Sequence, residues 1–265
     1  ELLMETPPSV PEGIRVDKSQ AREVISRTFA DDGVWLSEVE AKEILKAYGI
    51  PVVETRRAAS AEDAVAHAAE IGYPVALKVL SPEVLHKSDV GGVALDLESA
   101  EAVASAASEM TARLDRLRPD ATLAGFTVQT MARRPGSYEL IVGASVDPIF
   151  GPFLMFGHGG TGVEVIDDTS VGLPPLNMLL AEEMISRTRI VRLLKGYRDR
   201  PPVDFGALKL LLIRVSQMVS DLPEIVELDI NPVLVDADGA IALDARIRLA
   251  PAKGKPHDRL AIRPY

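Results

Sequence analysis

Two periods organise the hydrophobic and polar positions of this chain. Over residues 19–30, and again after Ser37, apolar residues recur at three- and four-residue spacing, the period of a helix with one buried face. In the second stretch Val39, Ile44, Leu45 and Tyr48 share a side, Ser37 and Glu40 form a capping box, and Gly49 marks the end. Ser60 and Asp63 open a third helix that Gly72 closes, and an Ala-rich amphipathic stretch follows at 98–117. Short apolar runs at 51–55, 73–80 and 92–97 predict strands between these helices. Further strands are expected at 126–131, 138–146 and 152–156, then helices at 175–194 and 204–219. The pattern ends in strands at 225–230, 232–235 and 240–246, with Asp238-Gly239 as a hairpin turn. This succession predicts an α+β chain with a smaller lobe over 51–124 and a larger one over 125–250. A helical segment at 19–50 precedes them. Residues 1–18 and 251–265 read as linkers, the latter leading towards a further C-terminal domain.

Composition narrows the function. Of 265 residues, 47% are hydrophobic and 26% charged, enough apolar material for a sizeable core. A formal net charge of -10 argues against nucleic acid as a partner, because binding phosphate backbones needs clustered Lys and Arg. Zero cysteines exclude disulfides, thiolate metal sites and a Cys nucleophile, which fits a reducing compartment with the cytoplasm as the expected location. No apolar run is long enough to span a membrane as a helix.

Four segments could carry chemistry. Lys78 is the one charge in an apolar strand, and it suits either a phosphate or a solvated face. The stretch from Ser81 to Val93 puts His86, Lys87, Asp89, Gly91 and Gly92 into one connection between strands. Its glycines would let backbone N–H groups approach an anion, and a neutral imidazole is a competent phosphoryl acceptor; an ordinary polar turn fits the same residues. A second glycine cluster at 157–162, including Gly159 and Gly160, is followed by Glu164. It has neither the G-x-x-x-x-G-K-[ST] spacing nor the following helix of a dinucleotide turn. Finally, Glu227 and Asp229 alternate with apolar neighbours and so share a face, with Asn231 and Asp244 close by. Hard oxygen ligands of this kind suit Mg²⁺ bridging nucleotide phosphates, and acidic strands also simply face solvent.

Taken in order, Tyr73-Pro74-Val75-Ala76-Leu77-Lys78, Leu85-His86-Lys87-Ser88-Asp89-Val90-Gly91-Gly92-Val93 and Glu227-Leu228-Asp229-Ile230-Asn231-Pro232 carry a family resemblance. Residues 37–249 resemble the ATP-grasp subunit or domain of nucleoside-diphosphate-forming acyl-CoA synthetases, relatives of succinyl-CoA synthetase. The resemblance implies an ATP-grasp fold, two α/β lobes clasping ATP or ADP with Mg²⁺. It implies that Lys78 holds nucleotide phosphates, that Gln129, Thr130 and Met131 form a hinge against adenine, and that Glu139 contacts the ribose or a nearby base. Asn231 and Asp244 become Mg²⁺ ligands, and Gly159 and Gly160 belong to the loop closing over the phosphates. His86 matches the histidine that the ADP-forming enzymes add on the ATP-grasp side, and Glu164 falls where it would orient an incoming imidazole.

The implied partner is a set of CoA-binding ligase domains, in the same polypeptide or on a separate alpha subunit. The tail ending Arg259-Leu260-Ala261-Ile262-Arg263-Pro264-Tyr265 is similar to the junction before an acetyltransferase domain in fused bacterial protein acetyltransferases. That similarity raises a rival function, a non-catalytic domain sensing nucleotide or acyl-CoA. A further alternative is an ATP-grasp ligase forming a free acyl phosphate, for which His86 would be dispensable.

Overall fold

The structure is a computed structural model and describes residues 16–29, 34–84, 87–160 and 168–252. The chain divides into two compact units, residues 53–133 and the remainder on either side of them.

The smaller unit is a four-stranded antiparallel sheet backed by two helices. Its strands are β2 (Thr55–Ala58), β3 (Val75–Leu80), β4 (Val93–Leu97) and β5 (Gly125–Thr130), in the order β2-β5-β3-β4. The helices are α3 (Ala61–Ile71) and α4 (Ala100–Leu117), capped by Ser60 and Ser99, whose hydroxyls accept from the backbone N–H groups of Asp63 and Ala102. Val103, Ala107, Met110 and Leu114 line the buried side of α4 at helical spacing, and the first three pack with Val75, Leu77, Val79, Phe126 and Val128 of the sheet.

The larger unit holds a seven-stranded antiparallel sheet. Its strands are β1 (Val34–Trp35), β6 (Tyr138–Asp147), β7 (Gly151–His158), β8 (Thr169–Gly172), β9 (Ile225–Asp236), β10 (Gly239–Ala242) and β11 (Ala245–Leu249). The order is β1-β11-β9-β6-β7-β8, with β10 paired to β9. Helices α1 (Lys18–Thr28), α2 (Glu38–Ala47), α5 (Met178–Ser186), α6 (Val191–Leu194) and α7 (Phe205–Asp221) complete it. One core runs through them: Leu208, Leu211, Leu212, Val215 and Met218 of α7 are at most 1% exposed and pack with Leu140, Val142, Leu154, Phe156, Leu228 and Ile230. Burying each such side chain contributes roughly 1.5–3 kcal/mol before chain entropy is counted.

Several boundaries differ from the sequence reading. The lobe boundary expected at 124/125 lies after Arg133, because β5 sits between β2 and β3 and its backbone groups are satisfied only there. A strand pattern alone does not say which sheet the strand will join. Residues 51–52 belong with the larger unit, tied by the Val52–Ala242 bridge and by the Ala242 N–H donating to the Pro51 carbonyl at 2.9 Å. The strand expected at 51–55 forms instead at Thr55–Ala58. The segment 19–50 is no separate layer: α2 packs on β11, and the Leu36 N–H donates to the Ile247 carbonyl.

The single helix expected at 175–194 breaks into α5 and α6, and β8 forms where no strand was read. The two strands expected at 225–230 and 232–235 are one continuous strand, with a cis bond between Asn231 and Pro232. The linker expected at 251–265 lies, after its first two residues, outside the described residues, as does 1–15. Among the described residues no helix is long and apolar enough to cross a membrane.

The capping box of α2 is fully formed, with the Ser37 hydroxyl accepting from the Glu40 N–H and the Glu40 carboxylate accepting from the Ser37 N–H. Ser37→Ala is expected to cost about 1 kcal/mol of unfolding free energy, read from urea denaturation at unchanged m-value.

Candidate functional site

In the smaller unit the period of β3 and β5 sorts side chains between two faces. Val75, Leu77, Val79, Phe126 and Val128 enter the helical core, so Lys78, Thr127 and Gln129 share the opposite face. Lys78 stands directly across from Thr127, and Gln129 across from Ala76. All three are buried, at 6%, 0% and 5% exposure. A strand that places an ammonium this deep must offer it polar partners or an anion. Thr127 was missed in the sequence; its signal was a polar residue alternating with Phe126 and Val128, and its buried hydroxyl has no hydrogen-bond partner among the described residues. At the end of β5 the N–H groups of Thr130 and Met131 donate to the carbonyls of Glu54 and Pro74, at 3.0 and 3.2 Å.

Between β3 and β4, Lys87 to Val90 form a single 3-10 turn. The Gly91 and Gly92 N–H groups donate to the Ser88 and Lys87 carbonyls at 3.0 and 2.7 Å, which commits them to the turn. Gly91 has φ +61, and a Cβ there would strike the Arg113 side chain, whose Nη1 donates to the Gly91 carbonyl at 3.1 Å. These glycines shape the base of the connection. Leu85 and His86 lie outside the described residues.

In the larger unit the same alternation governs β9. Up to Asn231, Leu228 and Ile230 join the helical core and Glu227, Asp229 and Asn231 point to the other face; a register shift at the cis Asn231–Pro232 bond then turns Val233 and Val235 into the core. On β11, Arg246 pairs across from Asp229 and Arg248 from Glu227, while Ala245 and Ile247 enter the core. Asp244 sits just before β11, where its Oδ1 accepts from the Ala245 N–H at 2.9 Å. Burial pushes the Asp229 carboxyl above the usual carboxylate range; the Arg246 guanidinium opposes that rise, and Asp244 and Glu227 add to it. One Asp229 oxygen is buried without a hydrogen-bond partner among the described residues. Arg246 itself lies over the Trp35 ring, 4.8 Å from its centroid.

The glycine cluster begins with Gly157 and His158, the last two residues of β7. The Gly159 N–H donates to the Glu139 carbonyl at 2.8 Å, and the Gly160 N–H donates to Asn231 Oδ1 at 3.3 Å. Gly160 has φ +79, and a Cβ there would run into the Glu139 carboxylate. Glu139, Gly160 and Asn231 are thus brought together. Thr161 to Asp167, including Glu164, lie outside the described residues. Where the chain returns, the Asp168 carbonyl accepts from the His158 N–H, and the Asp168 carboxylate accepts from the backbone N–H groups of Arg189 and Ile190 at 2.6 and 2.7 Å. That clamp fixes the far end of the glycine-rich segment to the break between α5 and α6. No group of three or more His, Cys, Asp or Glu positioned to hold a metal exists among the described residues.

Residues 27–249 match the family model of the ATP-grasp domain. The chain is 42% identical to the beta subunit of ADP-forming acetate–CoA ligase I from Pyrococcus furiosus, over 87% of this chain and 98% of that subunit. It is 39% identical to ADP-forming acetate–CoA ligase I of Archaeoglobus fulgidus, over 89% of this chain but only 34% of that longer relative. A solved structure of Ca. Korarchaeum cryptofilum dinucleotide-forming acetyl-coenzyme A synthetase 1 is similar with a TM-score of 0.74. It is 40% identical and covers 86% of this chain and 99% of that one. That structure holds coenzyme A and Mg-AMPPCP, with a phosphohistidine segment pointing towards the nucleotide binding site.

Because the Asp229 carboxyl is raised, the folded state holds its proton more tightly than the unfolded chain does, and stability falls as pH climbs through that raised value. Asp229→Asn is therefore expected to melt at or above the wild-type temperature in neutral buffer without divalent cations. The difference should vanish below about pH 4. A variant that melts well below wild type at neutral pH would contradict this assignment.

Proposed function

The chain belongs to the ATP-grasp family, and from that premise we propose that it is the nucleotide-binding module of an ADP-forming acyl-CoA ligase, moving a phosphoryl group between the nucleotide and His86. The observation that carries the reading is the contact of the Gly160 N–H with Asn231, which ties the glycine-rich segment to the oxygen-bearing face of β9. The bond orients the Asn231 amide oxygen, whose second lone pair suits a cation that shares the charge of a phosphate.

The residues fit Mg²⁺. Asn231 and Asp244 supply two hard oxygens, and the unpartnered Asp229 oxygen lies on the same face, available to a metal-bound water. A set this small leaves positions for phosphate oxygens and water, as Mg²⁺ prefers. Bound there, Mg²⁺ would offset the charge that develops between the β- and γ-phosphates.

The chain's own residues do the rest. Lys78 supplies a fixed cation for the phosphates, with the Thr127 hydroxyl across from it as a further donor. Gln129, Thr130 and Met131 hold the base, and Glu139 the ribose. The imidazole of His86 attacks the γ-phosphorus, its bond to phosphorus forming as the bond from phosphorus to the ADP oxygen breaks; in the reverse, ATP-forming direction phosphohistidine returns the group to ADP. Glu164 accepts a hydrogen bond from the second imidazole nitrogen and fixes the ring.

CoA-binding domains complete the enzyme, on an alpha subunit as the name of the Pyrococcus relative suggests or fused as the length of the Archaeoglobus relative suggests. The rival, a sensor domain of an acetyltransferase, draws on tail residues outside the described ones, and no comparison favours it.

Incubation with γ-labelled ATP and Mg²⁺ is expected to leave acid-labile, base-stable label on the wild type and none on His86→Ala. Label of equal strength on His86→Ala would overturn the role of His86.

Asn231→Ala and Asp244→Ala are each expected to weaken Mg-ATP binding by about tenfold or more, while leaving metal-free ATP binding within about twofold. Equal losses with and without Mg²⁺ would remove both residues from the metal site; isothermal titration reads both.

A further inference from the structure

The hairpin joining β6 to β7 turns through Asp147, Pro148, Ile149 and Phe150 before Gly151 at φ +76. Asp147 Oδ1 accepts from the N–H groups of both Ile149 and Phe150, at 2.8 and 2.9 Å, and these bonds hold its carboxyl below the usual range. The turn is therefore locked, with Pro148 removing further freedom. What it holds in place is apolar: Ile149 is 83% exposed and Phe150 60%. Ile149 borders a groove of roughly 710 Å³ that Val146, Val226 and Pro251 line, with the Glu227–Arg248 pair at 3.9 Å on its wall.

A free chain gains nothing from this arrangement. Two large apolar side chains in water forgo about 1.5–3 kcal/mol each, and rigid presentation makes no contribution to a solvated loop. Rigid presentation does help a docking surface, since the ordering cost of the anchor residues has been met before contact. We propose that the Ile149–Phe150 turn and its groove form the anchor by which this module docks onto the CoA-binding part of the ligase. This rests on the ligase reading given above.

That occupant is argued from the relatives. The chain aligns with 98% of a protein named a beta subunit, and with only 34% of a longer ligase, so about two thirds of that relative's polypeptide lies outside the aligned region. Those domains require a standing contact with this module if a phosphoryl group is to pass between sites without loss to water. The turn is too small for a whole interface, which needs about 800 Å² per partner, and acts as the buried centre of one. The partner surface is expected to carry an apolar socket for Phe150, flanked by charges that complement Glu227 and Arg248.

The test uses the complete ligase, with its CoA-binding domains fused or as a subunit. A photoreactive benzophenone side chain replaces Phe150, and Ile149→Ser/Phe150→Ser is assayed beside it. Irradiation is expected to cross-link residue 150 to the CoA-binding domains. The double variant should bind ATP within about twofold of wild type and retain label on His86, while net acyl-CoA synthesis falls by about tenfold or more. Cross-linking only to a second copy of this chain, no cross-link, or full synthesis by the double variant would each overturn the proposal. Loss of ATP-dependent label from the wild type would instead sink the ligase reading, and a cross-link to the neighbouring domains would survive it.

Discussion

The period of strand β9 is the constraint on which the larger unit turns. Over residues 227–231 the strand alternates, so the register that sends Leu228 and Ile230 into the helical core sends Glu227, Asp229 and Asn231 the other way, until a bulge at the cis Asn231–Pro232 bond resets the phase and Val233 and Val235 enter the core. Slipping by one residue would bury two carboxylates among α7 side chains and expose the core. The cost of that alternative, several kcal/mol for each ion taken into an apolar interior, is what holds the oxygen-bearing face in register. Neighbours on both sides add to it. Leu140 of β6 and Ile247 of β11 enter the core beside β9, and Arg246 falls across from Asp229. The site's geometry is thus a consequence of packing on the far side of the sheet.

The smaller unit repeats the arrangement. Apolar positions of β3 and β5 commit to α3 and α4, and Lys78, Thr127 and Gln129 are left together opposite them. In both units the charged or polar groups that suit a nucleotide occupy rigid strands, whereas His86 and Glu164 belong to connections. That division would suit the proposed phosphoryl transfer, with fixed groups for the phosphates and with His86 and Glu164 on connections whose described ends are clamped. The Gly91–Arg113 contact and the Asp168 carboxylate on the Arg189 and Ile190 backbone are those clamps.

Much of this was legible in the sequence because it follows local rules. The capping box at Ser37 and Glu40, the Ser60 helix start, the Asp238-Gly239 hairpin and the shared face of Glu227 and Asp229 depend on residues within a few positions of one another. The motifs around Lys78, His86 and Asn231, in that order, pointed to an ATP-grasp ligase, and the family match over residues 27–249 agrees. The break between α5 and α6 was hidden because it depends on a carboxylate some twenty residues earlier in the chain. Thr127 went unnoticed because one polar residue in an apolar run announces itself only when a partnerless hydroxyl is seen.

The sequence by itself determined which residues alternate, where helices begin, and which motifs occur together, since propensity, capping and period are properties of short stretches. Tertiary structure alone decided that β5 joins the smaller sheet, that Arg246 faces Asp229, that Gly160 touches Asn231, and that Ile149 and Phe150 stand in solvent on a locked turn. Each of these is a pairing or an exposure fixed by residues distant in the chain. Such contacts form because a backbone must satisfy its hydrogen bonds and a core must close, and neither condition can be evaluated within a single segment.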